Sequence, residues 1–131
     1  MSGVQTLRSY QDVSAQQQTV AADTLAVTLI AARAGWTVYV QKIKFNVTTS
    51  AAVSATVRAL TTTTVVIAGV PASPGVGVVE FDFGEDGWAL PAGEGLERTL
   101  SGAGLAFAMT VQAYRKLTPN TAIAAATLAA S

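Results

Sequence analysis

The chain contains no cysteine and no histidine. Without cysteine there is no disulfide framework, no thiolate nucleophile and no cysteine-based zinc site. Without histidine the commonest general base and the commonest transition-metal ligand are missing. Charge is scarce as well. Only 12% of the 131 residues are charged, about half of the ~25% usual for a soluble domain. The formal net charge is zero, which favours association over mutual repulsion. A neutral chain also argues against nucleic acid, whose phosphates call for a clustered basic face. Lys42 and Lys44 share one strand face and Arg115 adjoins Lys116, and both pairs read as solvated edges. No run of ~18 apolar residues occurs, so no membrane-spanning helix and no membrane partner are expected. Arg8 is followed by a mostly polar stretch, Ser9 to Gln18, where a signal peptide would carry its apolar segment.

What remains is apolar and alternating. Half of the residues are hydrophobic, and the length suits one domain that buries roughly two-thirds of its unfolded surface. Residues 24–31 alternate Leu25, Val27 and Leu29 against Ala26, Thr28 and Ile30, which is strand periodicity. The longest strand is expected over Trp36 to Thr48. There Trp36, Val38 and Val40 share a face, and Ile43, Phe45 and Val47 share a face, but the count slips by one between the triplets. A period of two keeps both on the core side only if a bulge lies near Gln41-Lys42. Lys42, Lys44 and Asn46 then face solvent.

Further strands are expected over 54–60, 65–70, 78–83, 94–100 and 105–116. Between them lie the threonine run 61–64, read as strand or tight turn, and the Pro71–Gly75 loop. About eight short strands at regular spacing argue for an all-β fold. The expected architecture is a jelly-roll-like two-sheet β-sandwich. The expected organisation is an N-terminal arm over 1–22, a sandwich domain over 23–117 and a C-terminal arm over 118–131. The N-terminal stretch is weak in strand character. The C-terminal stretch is alanine-rich and too short to hold an isolated helix.

Half of the acidic residues, Glu80, Asp82, Glu85 and Asp86, fall within seven positions. Calcium requires six to eight converging oxygens. Strand phase instead puts Glu80 and Asp82 on one strand face and leaves Glu85 and Asp86 in a turn. The reading is a strand edge followed by an Asp-Gly turn. Trp36, Trp88, Tyr39 and Tyr114 are expected to serve the core rather than a sugar platform, with Trp88 plugging one end of the sandwich. Neither glycine-rich stretch has phosphate-cradle spacing. No catalytic residue, cofactor or metal is expected. A glycosidase-like use of Glu80 or Glu85 ranks last among the readings.

The stretch from Leu29 to Tyr114 resembles a group of small β-sandwich structural proteins of tailed bacteriophages. The likeness runs through WTVYVQKIKFNVT and AVSATVRALTTTT. It is densest in the pattern FxFGxxGWxLPAGExLxxxLSGAG from Phe81 to Gly104, and it ends in FAMTVQAYRKL. The resemblance implies a virion component without catalytic activity, such as a capsid decoration (cement) protein. It also implies the major capsid protein as partner and a homo-oligomer, often a trimer. The implied location is the exterior of the phage head, after synthesis in the host cytoplasm. The rival reading is a tail or fibre module that binds host glycans through Trp36, Trp88 and the Glu85-Asp86 turn.

Overall fold

The computed structural model describes residues 10–117, and the expected C-terminal arm and residues 1–9 lie outside them. The described chain is all β, with ten strands in two antiparallel sheets. One sheet has the order β1 (Tyr10–Asp12), β10 (Ala106–Leu117), β4 (Trp36–Thr49), β7 (Gly77–Asp82). In it, β2 (Ala15–Thr19) also pairs with β10, and β8 (Trp88–Ala89) also pairs with β4. The other sheet has the order β3 (Val27–Ile30), β9 (Leu96–Leu100), β5 (Ala55–Ala59), β6 (Val66–Val70). Since β1 and β2 share one flank and β7 and β8 the other, each sheet has four strand positions. The chain crosses from sheet to sheet at six of the nine connections between these strands, and the two sheets form a β-sandwich.

The core lies between the sheets. Ile43, Phe45 and Val47 of β4 and Phe107, Met109 and Val111 of β10 are buried together with Val57 and Leu96 of the second sheet. Phe45 meets Phe107 edge-on at 5.4 Å and Phe81 at 6.3 Å, the geometry that the ring quadrupole favours. The expected bulge is present. Gln112 pairs with Lys42, and the next residue, Ala113, pairs with Val40. Gln41 is therefore the extra residue, and Val38, Val40, Ile43, Phe45 and Val47 all lie buried. Lys44 and Asn46 are exposed, as the phase requires.

Four expectations change. Ten strands replace about eight, because the flanks of the first sheet are built from pairs of short strands. Within the segment 1–22, residues 10–12 and 15–19 run antiparallel along β10 as edge strands. The strand expected from Thr24 starts at Val27, leaving Leu25 78% exposed. Trp88 does not plug the sandwich: it is 42% exposed, held against Phe83 at the sheet margin. The threonine run 61–64 is the turn between β5 and β6, closed by the Val65 N–H donating to the Thr62 carbonyl.

Candidate functional site

The acidic block divides as strand phase requires. Glu80 pairs with Lys42 across the sheet at 3.3 Å. Asp82 accepts from the Gly84 N–H at 2.9 Å. Glu85 and Asp86 are exposed in the turn between β7 and β8. Gly84 and Gly87 supply the left-handed backbone there, with φ of 87° and 81°. A Cβ on Gly87 would also lie 3.0 Å from the Val40 carbonyl oxygen. Two side chains of the first sheet anchor the turn by its backbone. Gln41 Nε2 donates to the Glu85 carbonyl and Tyr114 OH to the Asp86 carbonyl, both at 2.6 Å. The acidic side chains are left facing solvent with no ion pair among the described residues. No group of three or more carboxylates there could hold a metal ion.

The tryptophans do not form one platform. Trp88 sits opposite Val40, four residues along β4 from Trp36, a separation of ~13 Å at ~3.3 Å per residue. The Arg33 guanidinium lies 4.4 Å over Trp36, and Phe83 stands edge-on to Trp88 at 5.5 Å. Tyr39 and Tyr114 stack on each other at 5.0 Å, and Lys116 lies over Tyr39 at 4.9 Å.

Three buried charged residues are prominent where the sequence reading singled out none. Glu94 is 3% exposed. Its two oxygens accept from the Thr61 and Thr62 N–H groups at 3.0 and 2.6 Å, so it clamps the β5–β6 turn. Burial pushes its pKa up, but the hydrogen bonds from Thr61 and Thr62 prevail and hold it down at about 2. Glu97 pairs with Arg58 on the outer face of the second sheet at 2.7 Å.

Arg98 is fully buried. It reaches from β9 across the inter-sheet space. Its Nε donates to Gln17 Oε1 of β2 at 3.2 Å, and its Nη1 donates to the Leu25 carbonyl at 3.1 Å. Thr19 also donates to Gln17 Oε1. Nη2 has no partner among the described residues. Burial lowers the pKa of Arg98 below its ordinary value, and the negative charge of Asp23 opposes that shift. Arg98 forms part of the wall of an open cavity of about 280 Å³, with Ala22, Asp23, Thr24, Leu25 and Val27. The signal in the sequence was the alternation of LERTL, which puts Leu96, Arg98 and Leu100 on one face.

No family model matches the chain, and no curated protein is significantly similar to it. Solved structures do share its shape. A chain of the acid-stable capsid of the Helicobacter pylori bacteriophage KHP30 superposes with a TM-score of 0.51 at 13% identity, over 84% of this chain and 94% of that one. Weaker likenesses are to a Bacillus endospore appendage pilus protein and to a chain of a cyanophage capsid. The first has a TM-score of 0.48 at 12% identity, over 82% of this chain and 86% of its own. The second has a TM-score of 0.42 at 12% identity, over 83% and 82%. At 13% identity the likeness to the KHP30 chain is one of fold alone.

Proposed function

We propose that this chain is a virion structural protein, and specifically a decoration protein that binds the major capsid protein lattice on the outside of a phage head. The observation that carries the reading is the two-sheet all-β fold shared with the KHP30 capsid chain along 94% of that chain's length. The two chains match over most of the length of both. The surface agrees. On the β2 side, the outer face of the first sheet presents the uncharged Gln16, Gln18, Asn46, Thr48, Ala108 and Thr110, beside the charged Lys42, Lys44, Glu80 and Asp82 toward β7. Val76 and Val78 lead into the β7 edge at 74% and 58% exposure. In this role the chain does no chemistry. Its contribution is contact area repeated over many copies, which opposes the pressure of packaged DNA. The protein would be made in the host cytoplasm and assemble as a homo-oligomer, with a trimer the favoured count.

The test is to mix the purified protein with heads that lack it, sediment the mixture and image the particles. Regularly spaced density on the outer surface at fixed lattice positions is the expected result. Protein that stays in the supernatant, or that decorates tails alone, overturns the reading. The exposed Trp88 gives the glycan-binding alternative its one foothold, and a glycan array addresses it directly.

A further inference from the structure

We propose that Arg33 and Arg115, at the end of the sandwich where β4 begins, bind a carboxylate from the Glu85-Asp86 turn of a second copy of this chain. The two cations flank Trp36. Arg33 is exposed on the turn between β3 and β4, with its guanidinium 4.4 Å over the indole. Arg115 pairs across the sheet with Val38, two residues along β4 from Trp36, so its side chain and the indole are diagonal neighbours on one face. Neither guanidinium makes an ion pair or a hydrogen bond among the described residues. Burial, and after it the positive charge of Arg33, lowers the pKa of the half-buried Arg115. Two like charges held together without a counter-ion repel each other, and the less exposed one has also lost part of its hydration. A carboxylate between them offsets both costs. It is met by Arg33 and by the terminal nitrogens of Arg115, since Nε of Arg115 is itself shut off from solvent. The planar guanidinium offers a carboxylate parallel charge-assisted hydrogen bonds, and stacking on Trp36 holds that of Arg33 in place beforehand.

The occupant follows from charge complementarity. Of the eight acidic residues, Glu80 and Glu97 are ion-paired. Glu94, Asp12, Asp23 and Asp82 accept backbone hydrogen bonds. Glu85 and Asp86 alone stand exposed with their side chains uncommitted, on a turn whose backbone Gln41 and Tyr114 hold. Within one copy they lie on the wrong side of the sheet. Tyr114 stacks on Tyr39, and strand alternation puts Tyr39 on the face of β4 opposite to Trp36, Val38 and Val40. The turn bonded to the Tyr114 hydroxyl therefore lies over one face of the first sheet, and the arginine pair lies on the other. No carboxylate among the described residues comes within 4.0 Å of either arginine. Contact between two copies joins charges that one copy keeps apart. Each copy carries both the acidic turn and the arginine pair, so the contact is reciprocal across a two-fold axis or repeats head to tail.

The inference rests on the homo-oligomer reading above and deepens it, but it is tested on the purified chain without capsids, so its failure leaves head binding standing. The charge-reversed variants Arg33→Glu and Glu85→Lys/Asp86→Lys alter exposed positions only. Each alone sets like charges against each other at the contact. Each is expected to weaken self-association at least tenfold by analytical ultracentrifugation, with an unchanged circular dichroism spectrum. An equimolar mixture of the two should associate at least tenfold more tightly than either alone, because the acidic position 33 of one variant meets the basic turn of the other. Lys44→Glu reverses an exposed charge elsewhere on the first sheet and should self-associate as the parent does. A parent chain that is monomeric at high concentration overturns the proposal. So does an Arg33→Glu chain that associates as the parent does, a mixture no tighter than its components, or a Lys44→Glu chain weakened as much as Arg33→Glu.

Discussion

Glu94 and Gly95 hold the second sheet at two adjacent positions by different means. Glu94 has a folded pKa of about 2 against an ordinary 4.5. Its contribution to stability is therefore complete above pH 4.5 and is lost as the pH falls through 2. A shift of that size corresponds to at most ~3 kcal/mol. Replacing Glu94 by Gln should cost ~1–3 kcal/mol at neutral pH by urea denaturation. It should also flatten the fall in stability between pH 4.5 and 2. Gly95 has a steric role. A Cβ there would lie 2.2 Å from the Ile30 carbonyl oxygen and 2.6 Å from the Ala32 nitrogen. Backbone cannot swing aside as a side chain can, so Gly95→Ala should lower stability by ~3 kcal/mol or more, read as a large drop in melting temperature or in soluble yield. Arg98 is expected to behave in the opposite way. Exchanging it for Met removes a desolvated charge at similar volume, a change that is often neutral or stabilising. Arg98→Met should keep or raise the melting temperature. A sharp fall would instead make Arg98 a structural tie between β9 and β2. Neither Glu94 nor Arg98 was legible from composition, because a charged residue in an apolar stretch reads as surface until its strand is placed, and the need for Gly95 appears only with the backbone of residues 30–32 beside it.

At the scale of the element, the long strands were legible because their side chains carry the phase. The slip between Val40 and Ile43 in β4 placed the bulge at Gln41-Lys42, and the pairing with β10 puts the extra residue at Gln41. Deleting Gln41 should erase that extra residue. Val40, Lys42 and Ile43 would then follow in regular alternation, so Ile43, Phe45 and Val47 stay on the core side without a bulge. The deletion should therefore still fold, losing the local bend and the hydrogen bond to the Glu85 carbonyl, whereas Gln41→Ala should lose only that hydrogen bond. Urea denaturation ranks the two, and an unfolded deletion variant would show that the bend itself is required. The edge strands β1 and β2 were not legible. AQQQT offers little apolar periodicity, and what fixes it is the long free margin of β10, a tertiary partner that sequence periodicity does not report. The same holds for Trp88. Its aromatic character suggested a core plug, whereas the two-residue strand β8 holds it at the margin of the first sheet, where one side of the ring stays wet. The turns were the most readable parts. The glycines of the acidic turn adopt the backbone that only glycine accepts cheaply.

For the whole molecule, the pairing of residues 10–19 with β10 decides how an arm is to be tested. Removing residues 1–20 would strip both edge strands. It would delete Gln17, the partner of Arg98 Nε, and Thr19, which is 2% exposed. A loss of capsid binding would then be inseparable from a loss of fold. Removing residues 1–9 leaves every described strand in place. That variant should keep the parent circular dichroism spectrum and melting temperature within ~1 kcal/mol of stability, since the described strands and their core contacts are untouched. If the N-terminal segment bridges neighbouring capsid subunits, the variant should co-sediment with heads at least tenfold more weakly than the parent. Binding by the shortened chain equal to the parent's would place the capsid contact on the sandwich faces, with the outer face of the first sheet the first candidate.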